Sequence, residues 1–447
     1  MKKNIRFITM CVALVAISLA GCTRFEEDDL FDESASLRVT HFNEQLQSRL
    51  VAQSQGEKNG WVIQYFVSGT DELDFEGFNL FGKFSGNGKV TMAGNHRFLR
   101  DGKAGNYTEF TSTYELLKEE GPVLAFNTWN DILTVFVDPV DPANAPSALI
   151  KDGEGMGGDQ NLIFQGYEGN NILFHGQRHF GGVRFVPCDR PWEDYLADTE
   201  TLKNYITNST VTSYYVICGA DTLYFKNLRG GIVTYCERVN DPLFPSTINC
   251  VFSPTGFYLQ HRNSIKGTSF QEFFLAEDKT CLMSENDSVK VIATWDNYIV
   301  NGRNTIWNLD MDNLSDEQKG LLAQIDAEAK KFNKDYSLSQ VGLGRSTGSG
   351  AVKGIVFTFK VKTKTNTAGL SLTTSRPSFG KMQIAYSDGE KADKNLTTMA
   401  KKCDIEQIAR QFAATLSGTY DIVPDNYFLP TGCELHSVDG GNDYILK

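Results

Sequence analysis

The sequence has no hydrophobic run long enough to cross a membrane. Its one strongly apolar stretch, from Phe7 to Leu19, has about a dozen residues, whereas a bilayer-spanning helix needs roughly 20. The spacing Cys-x-x-Cys is absent, and no Gly-Lys-Ser/Thr follows any glycine-rich run. The sequence therefore gives no support for a multi-span membrane protein, a zinc-ribbon module or a P-loop nucleotide site.

Positive charge and histidine are also scarce. The chain has 43 Lys and Arg against 55 Asp and Glu, for a formal net charge of −12, so we expect no nucleic-acid partner. Only His175 and His179 have a metal-like spacing, but Gly176 between them favours a surface hairpin. Because carboxylate pairs cannot be recognised in a single sequence, we assign no catalytic residue, metal or cofactor.

The N-terminus carries an export signal. Lys2, Lys3 and Arg6 precede the apolar stretch, and Leu19-Ala20-Gly21-Cys22 resembles the bacterial lipobox, which implies lipidation of Cys22. Two or three acyl chains on one residue would hold the protein firmly on a membrane. The acidic residues Glu26 to Asp29 resemble a tag for the outer face of the outer membrane. We therefore expect a lipid-anchored outer-membrane protein on the cell surface, with the periplasmic face as the alternative.

The mature chain predicts an α+β fold that is predominantly antiparallel β. Many short aromatic and β-branched runs are separated by Gly and Asn turns, which is typical of β-meander or barrel-like units, and a helix introduces each unit. The expected divisions are a signal peptide (1–21), an acidic tether (22–35), a first helix-plus-β domain (36–188), a second (189–336), a linker (337–350) and a small α+β unit (351–447).

Four local patterns refine this organisation. Ile132 to Val137 predicts a strand, and Ser315 with Gln318 predicts a capping box for a third helix. The segments Gly157–Phe164 and Gly267–Phe274 occupy comparable places in the first and second domains, which hints at a diverged duplication. Cys218 and Cys236 lie on neighbouring predicted strands and form the only cysteine pair for which we consider a disulfide.

Aromatic residues near turns are the best candidates for ligand binding. Trp129, Phe244 and Tyr427 lie where burial is not assured, and an exposed ring could stack on a sugar. The alternative is that these rings close the ends of β-sheets. Asp221-Thr222-Leu223 and Asp287-Ser288-Val289 match a short bacterial O-glycosylation pattern, which makes Thr222 and Ser288 candidate glycosylation sites.

Three segments together resemble an uncharacterised family of Bacteroidota lipoproteins. They are the lipobox with its acidic tail, the entry helix leading to Asn59-Gly60-Trp61, and the block Gly121 to Asn130 followed by Gly157-Gly158-Asp159. The resemblance implies a domain of unknown function of about 400 residues, encoded beside starch-utilisation-type uptake systems. It supplies no site, and this chain has Leu133-Thr134-Val135 where family members often have a histidine.

The resemblance implies a role in nutrient uptake at the outer membrane. We expect an accessory binding component of a TonB-dependent system that takes up a nutrient such as a glycan, or that docks on the receptor complex. An extracellular hydrolase and an adhesin or structural surface protein are the alternatives. Facing carboxylates in a cleft would favour the hydrolase, exposed aromatic rings the binding protein, and a long unpaired edge strand the structural role.

Overall fold

The computed structural model describes residues 34–68, 75–119, 121–139, 155–208, 213–236, 247–294, 306–347, 349–375, 377 and 380–447. Strands paired in antiparallel register dominate these ranges, so the expected β-rich α+β class is confirmed. Among the helices of the described ranges, none combines the length and the apolar character needed to cross a bilayer.

The first eight strands close into a barrel, called barrel 1 here, with neighbours in chain order. Strand β1 completes the ring, because Ile63 lies opposite Leu80 of β2 on one side and opposite Phe185 of β8 on the other. The strands are β1 (Trp61–Tyr65), β2 (Phe78–Phe84), β3 (Lys89–Gly94), β4 (Thr108–Lys118), β5 (Pro122–Phe126), β6 (Asn161–Glu168), β7 (Asn171–Gly176) and β8 (Gly182–Pro187).

Helix α1 (Ala35–Ala52) covers one end of barrel 1. The Ser34 side chain caps its first turn by accepting the Leu37 N–H, and Leu46 and Leu50 are fully buried in the barrel core. The indole of Trp61, at the start of β1, donates to the carbonyl oxygen of Leu50 at 3.1 Å. The helix that follows the predicted tether therefore closes one end of the barrel.

A short 3₁₀ helix, Thr134–Phe136, plugs the opposite end of barrel 1. Its residues are buried, and the Phe136 ring packs against Tyr65, Phe78 and His96. The predicted strand from Ile132 to Val137 is therefore wrong. The apolar run fits a core, but strand β5 already pairs with β6 on that side, so the segment turns inward.

Strands nine to sixteen close into a second barrel, called barrel 2, again in chain order. Helix α2 (Trp192–Ile206) precedes it and joins the barrels, because Trp192 and Tyr195 pack outside barrel 1 while Leu202 and Ile206 enter the barrel 2 core. The strands are β9 (Ser213–Cys218), β10 (Asp221–Lys226), β11 (Ile232–Cys236), β12 (Ile248–Phe252), β13 (Gly256–Ile265), β14 (Thr268–Leu275), β15 (Leu282–Ser284) and β16 (Lys290–Thr294).

The two barrels share one plan. Each is an eight-stranded ring preceded by a helix, and the segments Gly157–Phe164 and Gly267–Phe274 lead into β6 and β14, which are the sixth strands of their barrels. This arrangement supports the predicted duplication. The considered disulfide is wrong, because Cys218 is a free thiol and β10 lies between the strands that carry Cys218 and Cys236.

The remaining strands form a four-stranded and a five-stranded antiparallel sheet around one core. The strands are β17 (Ile306–Asn308), β18 (Tyr336–Arg345), β19 (Lys353–Val361), β20 (Lys364–Ser371), β21 (Thr373–Ser375), β22 (Lys381–Ala385), β23 (Gly418–Pro424), β24 (Cys433–Ser437) and β25 (Tyr444–Leu446). The helices are α3 (Asp316–Phe332), α4 (Lys394–Ala400) and α5 (Ile405–Thr415).

Two predicted divisions in this region are wrong. Helix α3, placed by the sequence in the second domain (189–336), buries Leu322 and Ile325 in the C-terminal core. Its predicted capping box between Ser315 and Gln318 is present. The predicted linker, 337–350, contains nearly all of β18. Gly342 lies there because a β-carbon would come within 2.4 Å of the Trp307 carbonyl oxygen on β17, so its role is close strand packing.

Candidate functional site

One end of barrel 1, called the loop end here, is the candidate site. In a barrel whose strands alternate in direction, the connections β1–β2, β3–β4, β5–β6 and β7–β8 all lie at the same end, opposite α1. Contacts join them: the Ser68 N–H donates to the Gly157 oxygen at 3.1 Å, and Arg100 pairs with Asp138 at 2.9 Å. The mouth of a barrel is a common place for ligand binding.

Trp129 presents an exposed ring at the loop end. Its residue surface is 45% exposed, and its indole N–H donates to the Asp131 carboxylate at 2.7 Å. The guanidinium carbon of Arg100 lies 5.5 Å from the ring centroid. Lys103 pairs with the other Asp131 oxygen at 3.0 Å. The ring is thus held at its polar edge and surrounded by hydrogen-bonding groups, an arrangement suited to stacking on a sugar while binding its hydroxyls.

A buried amide fixes the chain beneath Trp129. Asn130 is fully buried, and its side chain donates to the Ser112 hydroxyl at 2.8 Å and accepts the Ile132 N–H at 3.0 Å. Its own N–H donates to the Thr134 hydroxyl at 2.9 Å. These bonds join the Trp129 segment to β4 and to the buried plug, so the exposed ring stands on a rigid base.

The Asp131 carboxylate stays ionised at this site. Partial burial acts to raise its pKa, but the hydrogen bonds from Trp129 and Lys103, together with the positive charges of Lys103 and Arg100, outweigh that effect. The pKa of Asp131 therefore lies below its ordinary value. The carboxylate is a permanent hydrogen-bond acceptor beside the ring.

The two closely spaced histidines have structural partners. His179 Nδ1 lies 3.0 Å from the Gly158 oxygen, and His175 Nδ1 lies 2.8 Å from the Gly176 oxygen. They belong to the β7–β8 hairpin, as the sequence predicts. Over the described ranges, no cluster of three or more His, Cys, Asp or Glu side chains is arranged to hold a metal ion.

Of the three candidate aromatic residues, the structure places only Trp129 at the loop end. Phe244 lies outside the described residues, as does Cys22. Tyr427 is half-buried in the β23–β24 connection, next to Phe428, whose ring is fully buried in the barrel 2 core. That connection fastens the C-terminal unit to barrel 2.

The two candidate glycosylation sites differ in access. Ser288 is exposed in the turn between β15 and β16, beside Asp287, whose φ is +57°. Thr222 is half-buried within β10, and the preceding Asp221 is paired with Lys266. Ser288 is the more accessible of the two hydroxyls.

A surface groove lies at the opposite end of barrel 1, between α1 and β4. It has a volume of about 390 Å³, and its lining includes Glu44, Glu115, Asn43 and Lys118. Both glutamates are exposed. The groove therefore has two exposed glutamates in its lining, and it lies on the tether side of the barrel.

The segment from Gly344 to Gly348 has the Gly-x-Ser-x-Gly spacing of a hydrolase nucleophile elbow. Ser346 is 3% exposed, and its hydroxyl accepts the Val352 N–H at 3.1 Å. The segment connects β18 to β19, whereas a nucleophile elbow connects a strand to a helix. The segment is therefore a structural connection between two strands and not a nucleophile elbow.

The model of a domain of unknown function, DUF4302, matches residues 27–277, which is more than half of the chain. No curated protein matches the sequence. Three solved structures are weakly similar, and the alignment covers 90% of this chain in each case. "Caulobacter crescentus pol III beta" is 10% identical, with 95% of its chain covered and a TM-score of 0.13. A DNA polymerase III beta chain from Streptococcus pneumoniae (10% identity, 97% of its chain covered) and a DNA polymerase sliding clamp from Bacillus subtilis (9% identity, 96% of its chain covered) each have a TM-score of 0.09. At these TM-scores neither fold nor function is inferred from them.

Proposed function

The chain belongs to the DUF4302 family, and we propose that it is a lipid-anchored outer-membrane protein of Bacteroidota that binds a glycan at the loop end of barrel 1. The observation that carries this proposal is the exposed Trp129 ring, held by Asp131 and by the buried Asn130. Glycan binding would make the protein an accessory component of a TonB-dependent, starch-utilisation-type uptake system.

The two ends of barrel 1 fit this assignment. Residues 23–34 would connect a lipidated Cys22 to α1, a span of at most about 42 Å when fully extended. Helix α1 covers one end of the barrel, and the loop end with Trp129 is opposite. A protein anchored in this way would direct its binding end away from its own membrane and toward ligands outside the cell.

The proposal is tested with a glycan array probed by the chain lacking residues 1–22. We expect binding to a small set of related glycans and loss of at least about tenfold in affinity for them in Trp129→Ala, which corresponds to ~1.4 kcal/mol. Trp129→Phe, which keeps a ring, should retain part of the affinity. An array with no signal, or equal affinities of wild type and Trp129→Ala, would overturn the proposal.

The groove beside α1 supports a second candidate function, glycan hydrolysis, through Glu44 and Glu115. Incubating the array glycans with wild type and with Glu115→Gln distinguishes the two functions. Release of shorter products by wild type, lost in the variant, would favour the hydrolase, whereas binding without product release favours the binding protein.

Ser288 is the proposed O-glycosylation site, and mass spectrometry of the protein from its native cells checks it.

A further inference from the structure

A second aromatic ring is exposed at the loop end. Phe180, in the β7–β8 connection, is 69% exposed, the largest fraction among the exposed large hydrophobic side chains of the described ranges. It lies at the same end of barrel 1 as Trp129, on a different connection. No sequence pattern marks this residue as a candidate, because a Phe followed by two glycines has no pattern of its own.

The backbone of Phe180 is strained. Its φ is +59°, in the left-handed region that glycine favours and that a bulky side chain rarely adopts. Three hydrogen bonds hold the neighbouring residues: the Asp159 carboxylate accepts the N–H groups of Arg178 at 3.0 Å and His179 at 2.9 Å, and the Ser68 hydroxyl donates to the His179 oxygen. Strained residues fixed by their surroundings cluster at binding sites.

The charged groups near Trp129 are mutually neutralised. Arg100 pairs with Asp138, Lys103 pairs with Asp131, and Arg97, on the same β3–β4 connection, pairs with Glu76. Each of these three cations has a carboxylate partner, so none of them offers an unpaired positive charge to an anionic ligand. Such a surface matches a ligand rich in hydroxyl groups and without charge.

We propose that Phe180 is a second stacking contact and that the ligand is a neutral glycan chain long enough to contact both rings. This inference rests on the proposed function, because it extends the site of Trp129. One sugar ring covers about one aromatic face, so a ligand that reaches two separate connections contains several sugar units. Asp159 acts as a positioning residue for the hairpin.

The experiment is calorimetric titration with a monosaccharide, a disaccharide and a longer oligosaccharide of the best array glycan. We expect Phe180→Gly to weaken binding of the longest ligand at least tenfold and to leave the monosaccharide unchanged, while Phe180→Tyr preserves both affinities. Because glycine relieves the strained φ, the melting temperature of Phe180→Gly should be equal to or above that of wild type. Phe274→Ala, an exposed ring on β14 of barrel 2, is the matched control.

The outcomes separate the two proposals. Equal affinity of wild type and Phe180→Gly for the long glycan, with loss in Trp129→Ala, overturns only the role of Phe180. A lowered melting temperature with weaker binding at every length would assign Phe180 a structural role and also overturn it. A tenfold loss of affinity between 50 and 500 mM salt would overturn the neutral character of the ligand. No binding by wild type overturns both proposals.

Discussion

At the scale of single residues, tertiary contacts decide which aromatic rings are available to a ligand. Trp129 and Phe428 look alike in the sequence, since each lies in a polar, turn-rich stretch. The buried Asn130 fixes the chain so that Trp129 points outward, whereas Phe428 fills the barrel 2 core. The sequence singles out Trp129 as a candidate, and its ring is exposed. It contains no signal for Phe180, which follows residues held by the distant Asp159.

A buried histidine at the loop end makes stability depend on pH. His96 is 7% exposed, packs on Phe136 and contacts the Ile132 oxygen at 3.0 Å. Burial lowers its pKa to about 4, against the smaller opposing effect of the bond to Ile132. Below its unfolded pKa of about 6.5, the unfolded chain therefore binds a proton that the folded chain does not.

We expect this group to lower the free energy of unfolding as the pH falls from about 6.5 to about 4, by up to roughly 3 kcal/mol, with its full contribution present above pH 6.5. Urea unfolding at pH 7 and pH 5 measures the loss. It should be smaller in His96→Gln and unchanged in the exposed control His261→Gln. Identical pH dependence in wild type and His96→Gln would contradict the assignment.

At the scale of elements, hydrophobic periodicity located most strands but not the partners they need. Ile132 to Val137 has strand-like composition, yet it forms the plug because no strand edge is open to it. The stretch 337–350 looks like a linker because of its glycines, yet Gly342 and Gly344 lie within β18. Glycine suits both a turn and a closely packed strand, so composition alone does not distinguish the two. Here the pairing of β18 with β17 places these glycines in a strand.

Alanine substitutions at two glycines should change the free energy of unfolding in opposite directions. Gly342→Ala should lower the free energy of unfolding by roughly 2 kcal/mol, because the added β-carbon meets the Trp307 carbonyl oxygen. Gly320→Ala should raise it by about 0.5–1 kcal/mol, since Gly320 lies within α3 with no atom near the added carbon. Denaturant unfolding of both variants tests this. Equal effects would contradict the strand pairing of β18 with β17.

An ion pair between the barrels offers a further test at this scale. Arg184 of β8 makes two hydrogen bonds to the Glu272 carboxylate of β14, at 2.8 and 2.9 Å, and its guanidinium carbon lies 4.4 Å from the centroid of the Tyr258 ring. The Arg184 side chain is 7% exposed and that of Glu272 is 19% exposed. Removing the cation leaves a largely buried carboxylate without its partner.

We therefore expect Arg184→Met to lower the free energy of unfolding by roughly 3 kcal/mol. Arg97→Met, which breaks the more exposed pair with Glu76, should cost less than about 1 kcal/mol. Differential scanning calorimetry should also resolve the barrels as separate transitions in Arg184→Met if this pair couples them. If the two variants lower the free energy of unfolding equally, contacts other than the Arg184–Glu272 pair hold the barrels together.

At the scale of the whole molecule, the proposal joins a lipid anchor to a binding end on the far side of barrel 1. Each of the two barrels is preceded by a helix, and the family model matches residues 27–277. The C-terminal division was misplaced because α3 follows the second barrel in the chain but packs in the C-terminal core. Such an assignment depends on contacts between distant segments.

The anchor has a direct test. We expect cells to incorporate labelled palmitate into wild type and not into Cys22→Ser, and the variant to leave the outer-membrane fraction. Cys188→Ser, a buried thiol of the folded region, is the control for cysteine loss. Labelling of the Cys22→Ser variant, or its retention in the membrane fraction, would refute the anchor.

A glycan that binds at Trp129 should change the surroundings of the indole N–H of this residue, and that group can be observed directly. Two-dimensional ¹H–¹⁵N NMR of the chain lacking residues 1–22, with the Trp129 resonance assigned from Trp129→Phe, follows that group during titration with the best array glycan. Our expectation is that the Trp129 indole signal shifts in a saturable way while the buried Trp61 and Trp192 signals stay in place. A saturable shift of other signals with the Trp129 indole unchanged would contradict it.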